Sequence, residues 1–121
     1  MRESWEILTN QEQLKEITER SKQPGLLGVA VFKHSTRCSI SAMAESRLER
    51  NWDFPSEKLP LYFLDLLAYR DISNKIADIF GVIHESPQLL LIKEGSCIYS
   101  ASHGDISVKA LHEFLTQKNL Q

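Results

Sequence analysis

The sequence predicts an α/β fold in which helices flank a mixed central sheet of parallel strands and an antiparallel C-terminal hairpin. Strand-like apolar runs alternate with amphipathic helical segments over most of the chain, an order that requires parallel strands and right-handed crossovers. Two apolar runs separated by the turn Lys93-Glu94-Gly95-Ser96 then indicate the hairpin. The 121 residues, of which 42% are hydrophobic, suit one domain, residues 1–121, with a buried core.

The first strand and the first helix are short. "WEIL" at residues 5–8 is a strand candidate, and the polar segment after it has the spacing of a helix. Thr9 or Asn10 can cap this helix, and Leu14 and Ile17 recur at helical spacing.

The next strand is the most apolar part of the chain. After the break at Pro24-Gly25, "LLGVAVFKH" at residues 26–34 is typical of a strand buried on both faces. A helix is predicted from Cys38 to Asn51, with three apolar residues near helical spacing: Ala42, Met43 and Leu48. The loop that runs to Pro60 contains Trp52 and Phe54. These aromatic side chains either pack the loop onto the core or form an exposed apolar platform for partner proteins.

A third strand and helix follow the loop. The strand is predicted at residues 61–66, and the helix in "DISNKIADIFG" is capped by Asp71 or Ser73 and ends at Gly81. Its predicted apolar side consists of Ile76, Ile79 and Phe80.

The hairpin and the last helix complete the order β-α-β-α-β-α-β-β-α. Strands are predicted at 88–93 and 97–102, and Asp105 or Ser107 caps the final amphipathic helix. Its apolar stripe is formed by Val108, Leu111, Phe114 and Leu115.

Charge and hydropathy argue against several classes of protein. The net charge of −2 argues against a dedicated nucleic-acid-binding protein, because such proteins carry a basic face. The longest apolar runs are far shorter than the roughly 18 residues of a transmembrane helix, and the N-terminus lacks the pattern of a signal peptide. We expect a soluble cytoplasmic protein with no nucleic-acid and no membrane partner.

The two cysteines do not suggest a metal site or a structural disulfide. They form no CxxC motif, they have no paired histidine spacing, and structural disulfides are rare in the cytoplasm. Each is therefore either a reactive thiol or a small buried apolar residue.

Cys38 is the candidate for a reactive thiol. If a strand ends at residue 34 and a helix begins at residue 38, Cys38 lies at the N-terminus of the helix with Ser35 or Thr36 near the cap. Unpaired N–H groups and the helix dipole favour an anion such as a thiolate at that position. Positive charge nearby is expected from Lys33, His34 and Arg37.

The dipeptide Ser86-Pro87 precedes the hairpin. Proline removes a donor from the sheet, so it stands at the first residue of a strand or at an edge. The peptide bond before Pro87 is either the commoner trans form or a cis form that would shape the approach to the site.

These segments resemble a thioredoxin-like protein over essentially the whole chain. More closely, "FKHSTRCSIS", "LDLLAYRDISNKIADIFGVIHESPQLLLIKEG" and "ASHGDI" are similar to the monothiol bacilliredoxins of the YtxJ type. The resemblance implies a thiol-disulfide oxidoreductase of bacillithiol redox chemistry in the bacterial cytoplasm. It implies no bound cofactor, bacillithiol or another low-molecular-weight thiol as co-substrate, and S-thiolated client proteins as partners.

The resemblance also implies roles for individual residues. Cys38 matches the nucleophile, and Pro87 matches the cis-proline of the fold, with Ser86 offering backbone groups to an extended substrate. Gly104 and Asp105 lie where related folds meet the backbone or tail of a low-molecular-weight thiol. The supporting residues around the nucleophile are Thr36, Arg37 and Ser41.

The chain departs from thioredoxin at two positions of this motif. Arg37 replaces the tryptophan before the first cysteine, and Ser41 replaces the second cysteine. A dithiol cycle within the motif is therefore impossible. We expect the Cys38 thiolate to attack a mixed disulfide and to take up the small thiol, which a second small thiol then removes. Ser41 either donates a hydrogen bond to the thiolate or is an ordinary exposed helix residue.

Cys97 and the histidines are secondary candidates. Six strand residues at roughly 3.3 Å each place Cys97 roughly 20 Å from the site, too far for a disulfide with Cys38. We interpret Cys97 as a core or edge residue. His34 either tunes Cys38 or, as we expect, lies in a solvated turn, while His84 and His103 are expected at the rim of the site.

Two other functions remain compatible with the sequence. The protein could be a non-catalytic thioredoxin-fold module whose Cys38 rim binds a partner without turnover. It could also be a redox sensor whose Cys38 is oxidised to sulfenic acid or capped by a small thiol. An ordinary pKa for the Cys38 thiol would favour the binding module. A capped form of Cys38 that no second thiol reduces would favour the sensor.

Overall fold

The observed elements follow the predicted order. The structure is a computed structural model that describes residues 2–35 and 37–118. The strands are β1 (Glu6–Ile7), β2 (Val29–His34), β3 (Leu61–Asp65), β4 (Gln88–Lys93) and β5 (Ser96–Ser102). The helices are α1 (Glu12–Arg20), α2 (Ser39–Asn51), α3 (Arg70–Phe80) and α4 (Val108–Gln117), and a short 3-10 helix, His103–Asp105, precedes α4. None of the helices in these two described ranges is long and apolar enough to cross a bilayer.

The five strands form one mixed sheet in the order β1-β3-β2-β4-β5. β1 and β2 pair in parallel with β3, while β4 is antiparallel to β2 and β5 is antiparallel to β4. All six residues of β2 are buried, as expected for the central strand. The prediction of a mixed sheet with an antiparallel C-terminal hairpin is therefore confirmed.

Successive side chains of β2 alternate between two cores, because side chains of a strand point to opposite faces of the sheet. One core lies against α2 and α4 and includes Ala30, Phe32, Ala44, Leu48, Leu111 and Leu115. The other lies against α1 and α3 and includes Val29, Val31, Leu14, Ile17, Ile72 and Ile76.

Ser107 caps α4 as predicted, whereas the N-cap of α1 is Gln11 and Asn10 bonds to the helix from one residue before it. Near the start of α1, Oδ1 of Asn10 accepts a hydrogen bond from the N–H of Gln13 at 3.1 Å. At α4, Oγ of Ser107 accepts from the N–H of Ala110 at 3.0 Å. Both satisfy N–H groups that have no partner within the helix.

The start of α3 differs from the prediction. The helix begins at Arg70, so Asp71 lies in the first turn and Ser73 is buried inside the helix. The chain turns earlier than expected because the N–H of Tyr69 donates to the carbonyl of Asp65 at 3.1 Å. The predicted cap at Asp71 or Ser73 is therefore wrong.

The buried face of α2 also differs from the prediction. Met43 is 66% exposed and Ala42 is exposed, whereas Leu48 is buried as expected. The buried positions are Ser41, Ala44 and Leu48, which follow the three- and four-residue spacing of one helix face. A serine belongs to this face, so its apolar pattern is incomplete in the sequence. On α3, Ile79 was assigned to the apolar side but is 46% exposed.

The loop after α2 packs on the core, as one of the two interpretations predicted. Trp52 and Phe54 are buried, and their ring centroids are 5.0 Å apart. Trp52 also packs edge-on against Trp5 at 5.9 Å. These aromatic contacts fix the C-terminal end of α2 and therefore help to hold the whole helix in place on the sheet.

Candidate functional site

Cys38 lies at the N-terminus of α2, as predicted, and is itself the N-cap residue, where Ser35 or Thr36 was expected near the cap. Its backbone is extended, and its carbonyl accepts the first helical hydrogen bond, from the N–H of Ala42 at 3.0 Å. Its own N–H donates to the carbonyl of Ser35 at 3.2 Å. The thiol is free and the residue is half-buried. The N–H groups of the first helical turn lack helical partners, so they favour negative charge at this end of α2.

The supporting residues predicted around Cys38 are in different environments. Arg37, which precedes Cys38 in the sequence, is exposed, and Thr36 lies outside the described residues. Ser41 is fully buried, and its Oγ accepts a hydrogen bond from the N–H of Ser35 at 3.3 Å. The interpretation of Ser41 as an exposed helix residue is therefore wrong. Its contribution to the thiolate stays a prediction.

Two of the three basic residues expected to supply positive charge near Cys38 are buried. Lys33 is 0% exposed and faces the core between α1 and α3. His34 is the last residue of β2, is 8% exposed, and has its ring 5.4 Å from that of Phe63. The prediction of a solvated turn for His34 is wrong because this end of the strand pairs with Asp65 of β3 and the His34 ring packs on Phe63. Burial lowers the pKa of His34, so the imidazole is neutral at pH 7.

The Ser86-Pro87 peptide bond is cis, which confirms the cis alternative. In the antiparallel pair of β2 and β4, Lys33 lies opposite Gln88. One residue further along these strands, His34 and Pro87 are therefore neighbours, at the end of β2 that leads to Cys38. The sheet thus brings the predicted nucleophile and the predicted cis-proline to the same end of two neighbouring strands.

The turn after β5 reaches the same end of the sheet. The N–H of His103 donates to the carbonyl of Pro87 at 3.2 Å, and Nδ1 of His103 is 3.4 Å from Oε2 of Glu85. Gly104 and Asp105 follow in the 3-10 helix and are exposed. His103, Gly104 and Asp105 are therefore placed at the rim formed by the Pro87 loop. Whether Gly104 and Asp105 bind a small thiol stays a prediction.

Cys97 lies at the other end of the sheet. It pairs with Ile92, which pairs with Val29 at the start of β2, whereas Cys38 follows the end of β2. Sγ of Cys97 donates to the carbonyl of Tyr99 at 3.3 Å, and burial raises the pKa of this thiol. The register supports the predicted separation of the two cysteines, and the packing supports a core or edge role for Cys97.

Three apolar side chains at the end of the sheet that leads to Cys38 are exposed, which the sequence did not predict. Ile40 and Met43 are 55% and 66% exposed on the first two turns of α2, and Leu67 is 40% exposed in the turn after β3. The N–H of Leu66, next to Leu67, donates to the carbonyl of His34 at 3.0 Å, which places this turn at the same end of the sheet. The one sequence feature that could have indicated an exposed apolar side chain here is Ile40, which stands between two serines at the start of the helix.

No group of three or more histidine, cysteine, aspartate or glutamate side chains in residues 2–35 and 37–118 is arranged to hold a metal ion. His34, His84 and His103, which share this end of the sheet, have other contacts. His34 packs on aromatic rings, His84 contacts Lys33, and His103 contacts Glu85. The candidate site is therefore centred on the Cys38 thiol, and backbone groups and apolar side chains form its rim.

Comparisons with known proteins agree with this geometry. A family model described as monothiol bacilliredoxin BrxC matches residues 6–111, a span that contains all the predicted site residues. A solved protein with a thioredoxin fold, whose description proposes an oxidoreductase, is 31% identical, with 91% of this chain and 92% of that chain covered and a TM-score of 0.73.

Two thioredoxins show the same fold at lower identity. The thioredoxin of Malassezia sympodialis is 24% identical, with 96% of this chain and 91% of that chain covered and a TM-score of 0.68. The thioredoxin of Trypanosoma brucei brucei is 15% identical, with coverage of 100% and 98% and a TM-score of 0.73. The predicted thioredoxin-like fold is therefore confirmed.

Proposed function

Because the chain belongs to the monothiol bacilliredoxin family, we propose that it removes bacillithiol from mixed disulfides with proteins, with Cys38 as the nucleophile. The family and the fold establish a thiol redox function, and the identity of the small thiol is the proposed part. The observation that carries the proposal is a free, half-buried thiol at the N-cap of α2, with a buried serine three residues later.

The first step transfers the small thiol to Cys38. The Cys38 thiolate attacks the sulfur of the small thiol in the mixed disulfide. A disulfide forms between Cys38 and the small thiol, the client disulfide breaks, and the client leaves as a thiolate that takes up a proton from solvent. The N-terminus of α2 favours the thiolate that this step requires.

The second step regenerates the protein. Because position 41 is serine, no thiol within the motif can attack the new disulfide. The thiolate of a second small thiol attacks the sulfur of the one held on Cys38. Cys38 leaves as a thiolate, and the two small thiols leave joined by a disulfide. The first small thiol stays in a disulfide throughout, so the client is reduced at the expense of the second small thiol alone, which is the co-substrate, and no resident cofactor takes part.

The rim residues have separate roles in this proposal. Backbone groups of Ser86, next to the cis bond to Pro87, bind an extended segment of the client. The exposed turn of Gly104 and Asp105 meets the small thiol, and Arg37 and Thr36 are the supporting residues that the family resemblance implies. A reducing cytoplasm would keep Cys38 available as a thiol.

The test uses a client protein that carries bacillithiol as a mixed disulfide. Intact-mass spectrometry follows client release and the thiol retained by wild type, Cys38→Ala and Cys97→Ala. Cys97→Ala is the matched control because Cys97 lies at the far end of the sheet. We expect release and retention by wild type and Cys97→Ala, and no release by Cys38→Ala.

Three outcomes would contradict the proposal. Equal release by Cys38→Ala would exclude Cys38 as the nucleophile, and no release by wild type would favour a binding module. A capped Cys38 that a second small thiol cannot reduce would favour a sensor. The same client carrying glutathione instead of bacillithiol tests the identity of the small thiol. We expect wild type to release bacillithiol faster than glutathione. Faster release of glutathione would refute the assignment of bacillithiol.

A further inference from the structure

Lys33 is a fully buried lysine without a carboxylate partner in the described part of the chain. Its Nζ is 3.3 Å from Nδ1 of His84 and 3.4 Å from the carbonyl oxygen of Ser73. Burial lowers the pKa of Lys33 to about 8, so most of it is still protonated at pH 7. A buried cation with only neutral acceptors costs stability relative to an apolar side chain of the same length. Its position therefore suggests a functional use rather than a packing role.

His84 is the residue that Lys33 contacts, and it is held from two directions. Nδ1 of its ring lies 3.3 Å from both Nζ of Lys33 and Oγ of Ser73. The side-chain amide of Gln88 holds the backbone on either side of His84: Nε2 donates to the preceding carbonyl at 3.0 Å, and Oε1 accepts the following N–H at 3.4 Å. Gln88 is itself buried, so the loop has little freedom to move.

These contacts determine which ring nitrogen of His84 carries the proton. A protonated lysine can only donate, so Nδ1 of His84 accepts and the ring proton lies on Nε2. Burial and the charges of Lys33 and Arg70 lower the pKa of His84, against the opposing charge of Glu85. The ring is therefore neutral at pH 7. His84 is otherwise exposed, and no residue in the described ranges forms a hydrogen bond with Nε2, so this N–H faces solvent.

We propose that Lys33 is a positioning residue, which holds His84 as a neutral imidazole whose Nε2–H donates to a carbonyl oxygen of the client polypeptide bound across Pro87. His84 lies three residues before Pro87, at the end of the sheet that leads to Cys38. The inference rests on the proposed function for the identity of the client. A neutral donor suits a peptide carbonyl, which carries no charge.

The test compares wild type with Lys33→Met, which keeps the length of the side chain and removes its charge. Nitrogen-15 NMR of the full chain reports the tautomer and titration of His84. We expect one Nε2–H tautomer in wild type. In Lys33→Met we expect a mixture of tautomers and a His84 pKa closer to its ordinary value. With a bacillithiolated client, KM should rise roughly fivefold with kcat unchanged, the effect of losing one hydrogen bond.

Two further variants complete the test. Lys75→Met changes an exposed lysine on α3 and should behave as wild type. His84→Ala removes the donor directly at an exposed position, so it should raise KM for the client as Lys33→Met does, even if Lys33→Met fails to fold. The double variant should have no larger effect than either single change, because both remove the same donor.

The inference is overturned if His84 keeps its tautomer and titration in Lys33→Met, or if His84→Ala binds the client as tightly as wild type. These readouts are separate from the proposed function. If wild type fails to release the client thiol, the proposed function fails, while the NMR comparison still decides whether Lys33 controls His84.

Discussion

The Oγ of Ser41 accepts a hydrogen bond from the N–H of Ser35 at 3.3 Å, and both residues are buried. The bond joins the first turn of α2 to the end of β2 across the segment that contains Cys38. The residue at the position of thioredoxin's second cysteine therefore has a structural role, which is to hold the turn around the remaining cysteine.

Removal of this hydroxyl should destabilise the protein. In Ser41→Ala the buried N–H of Ser35 loses its acceptor, so the free energy of unfolding should fall by about 1–3 kcal/mol. Urea denaturation measures the change. Ser46→Ala is the matched control, because Ser46 is exposed on the same helix and its loss should change stability by about 0.5 kcal/mol or less. Equal effects of the two changes would refute a structural role for Ser41.

Ser41→Cys should convert the monothiol motif into a dithiol motif. Residues three apart on a helix have Cβ atoms about 5–6 Å apart, which is compatible with a disulfide after small adjustment. After mild oxidation, mass spectrometry should show a loss of two hydrogens and no small thiol retained on Cys38. Ser46→Cys introduces a thiol too far along α2 to reach Cys38 and should retain the small thiol. Retention by Ser41→Cys at the wild-type level would contradict the prediction.

Gly28→Ala should be strongly destabilising. Gly28 has φ +150°, and an added Cβ would lie 2.8 Å from the carbonyl oxygen of Ile92. A side chain in this backbone region costs about 1–3 kcal/mol, and the contact with backbone adds to that cost. Thermal unfolding should show a lower Tm for Gly28→Ala and little change for Gly25→Ala, since an added Cβ at Gly25 meets no atom within 4 Å. Similar Tm values would refute the argument.

Gly104→Ala should impair activity without affecting stability. An added Cβ at Gly104 meets no atom within 4 Å, and the backbone is not in the left-handed region. If the small thiol contacts this turn, the methyl group should lower kcat/KM for the small thiol several-fold while Tm is unchanged. Gly25→Ala has equal space at the opposite end of the sheet and should leave activity unchanged. Wild-type kinetics of Gly104→Ala would exclude a close contact at Gly104.

Lys33→Met should be more stable than wild type, by an amount that depends on pH. Burial lowers the pKa of Lys33 from 10.5 in the unfolded chain to about 8 in the folded chain. The unfolded chain therefore binds more protons between these values, and the stability of wild type rises with pH across this window. The penalty from Lys33 is complete below about pH 8 and is lost toward about pH 10.5. Chemical denaturation of both proteins at several pH values measures the difference.

The expected advantage of Lys33→Met at pH 7 is on the order of 1–3 kcal/mol, the cost of burying a poorly paired polar group. It should shrink as the pH approaches about 10. An advantage that does not change with pH would mean that apolar packing, and not the charge of Lys33, explains it.

The order of the elements could be predicted because strand and helix patterns alternate clearly along the chain. Cys38 could be placed at a helix N-terminus because the buried strand before it ends in a polar turn. The buried face of α2 could not be predicted from hydrophobicity, because Ser41 occupies one of its core positions. The start of α3 could not be predicted because the preceding turn depends on the backbone and side chain of Asp65.

The environments of Lys33, His34 and His84 depend on contacts between distant parts of the chain. A basic residue at the end of an apolar run is normally read as exposed. Here β2 extends through His34, and pairing with β3 and β4 buries both basic residues on opposite faces. The contact of Lys33 with His84 joins residues 51 apart in sequence, so no local pattern indicates it.

β2 also determines how the site responds to thermal fluctuations. Cys38 and Pro87 extend from β2 and β4, which are interior strands, whereas β1 and β5 form the two edges of the sheet. In amide hydrogen exchange, interior strands open only with global unfolding, and edges open by local fraying. We therefore expect the nucleophile to be attached to a slowly exchanging part of the chain. Its distance from the cis-proline should persist through the local openings that expose the edge strands.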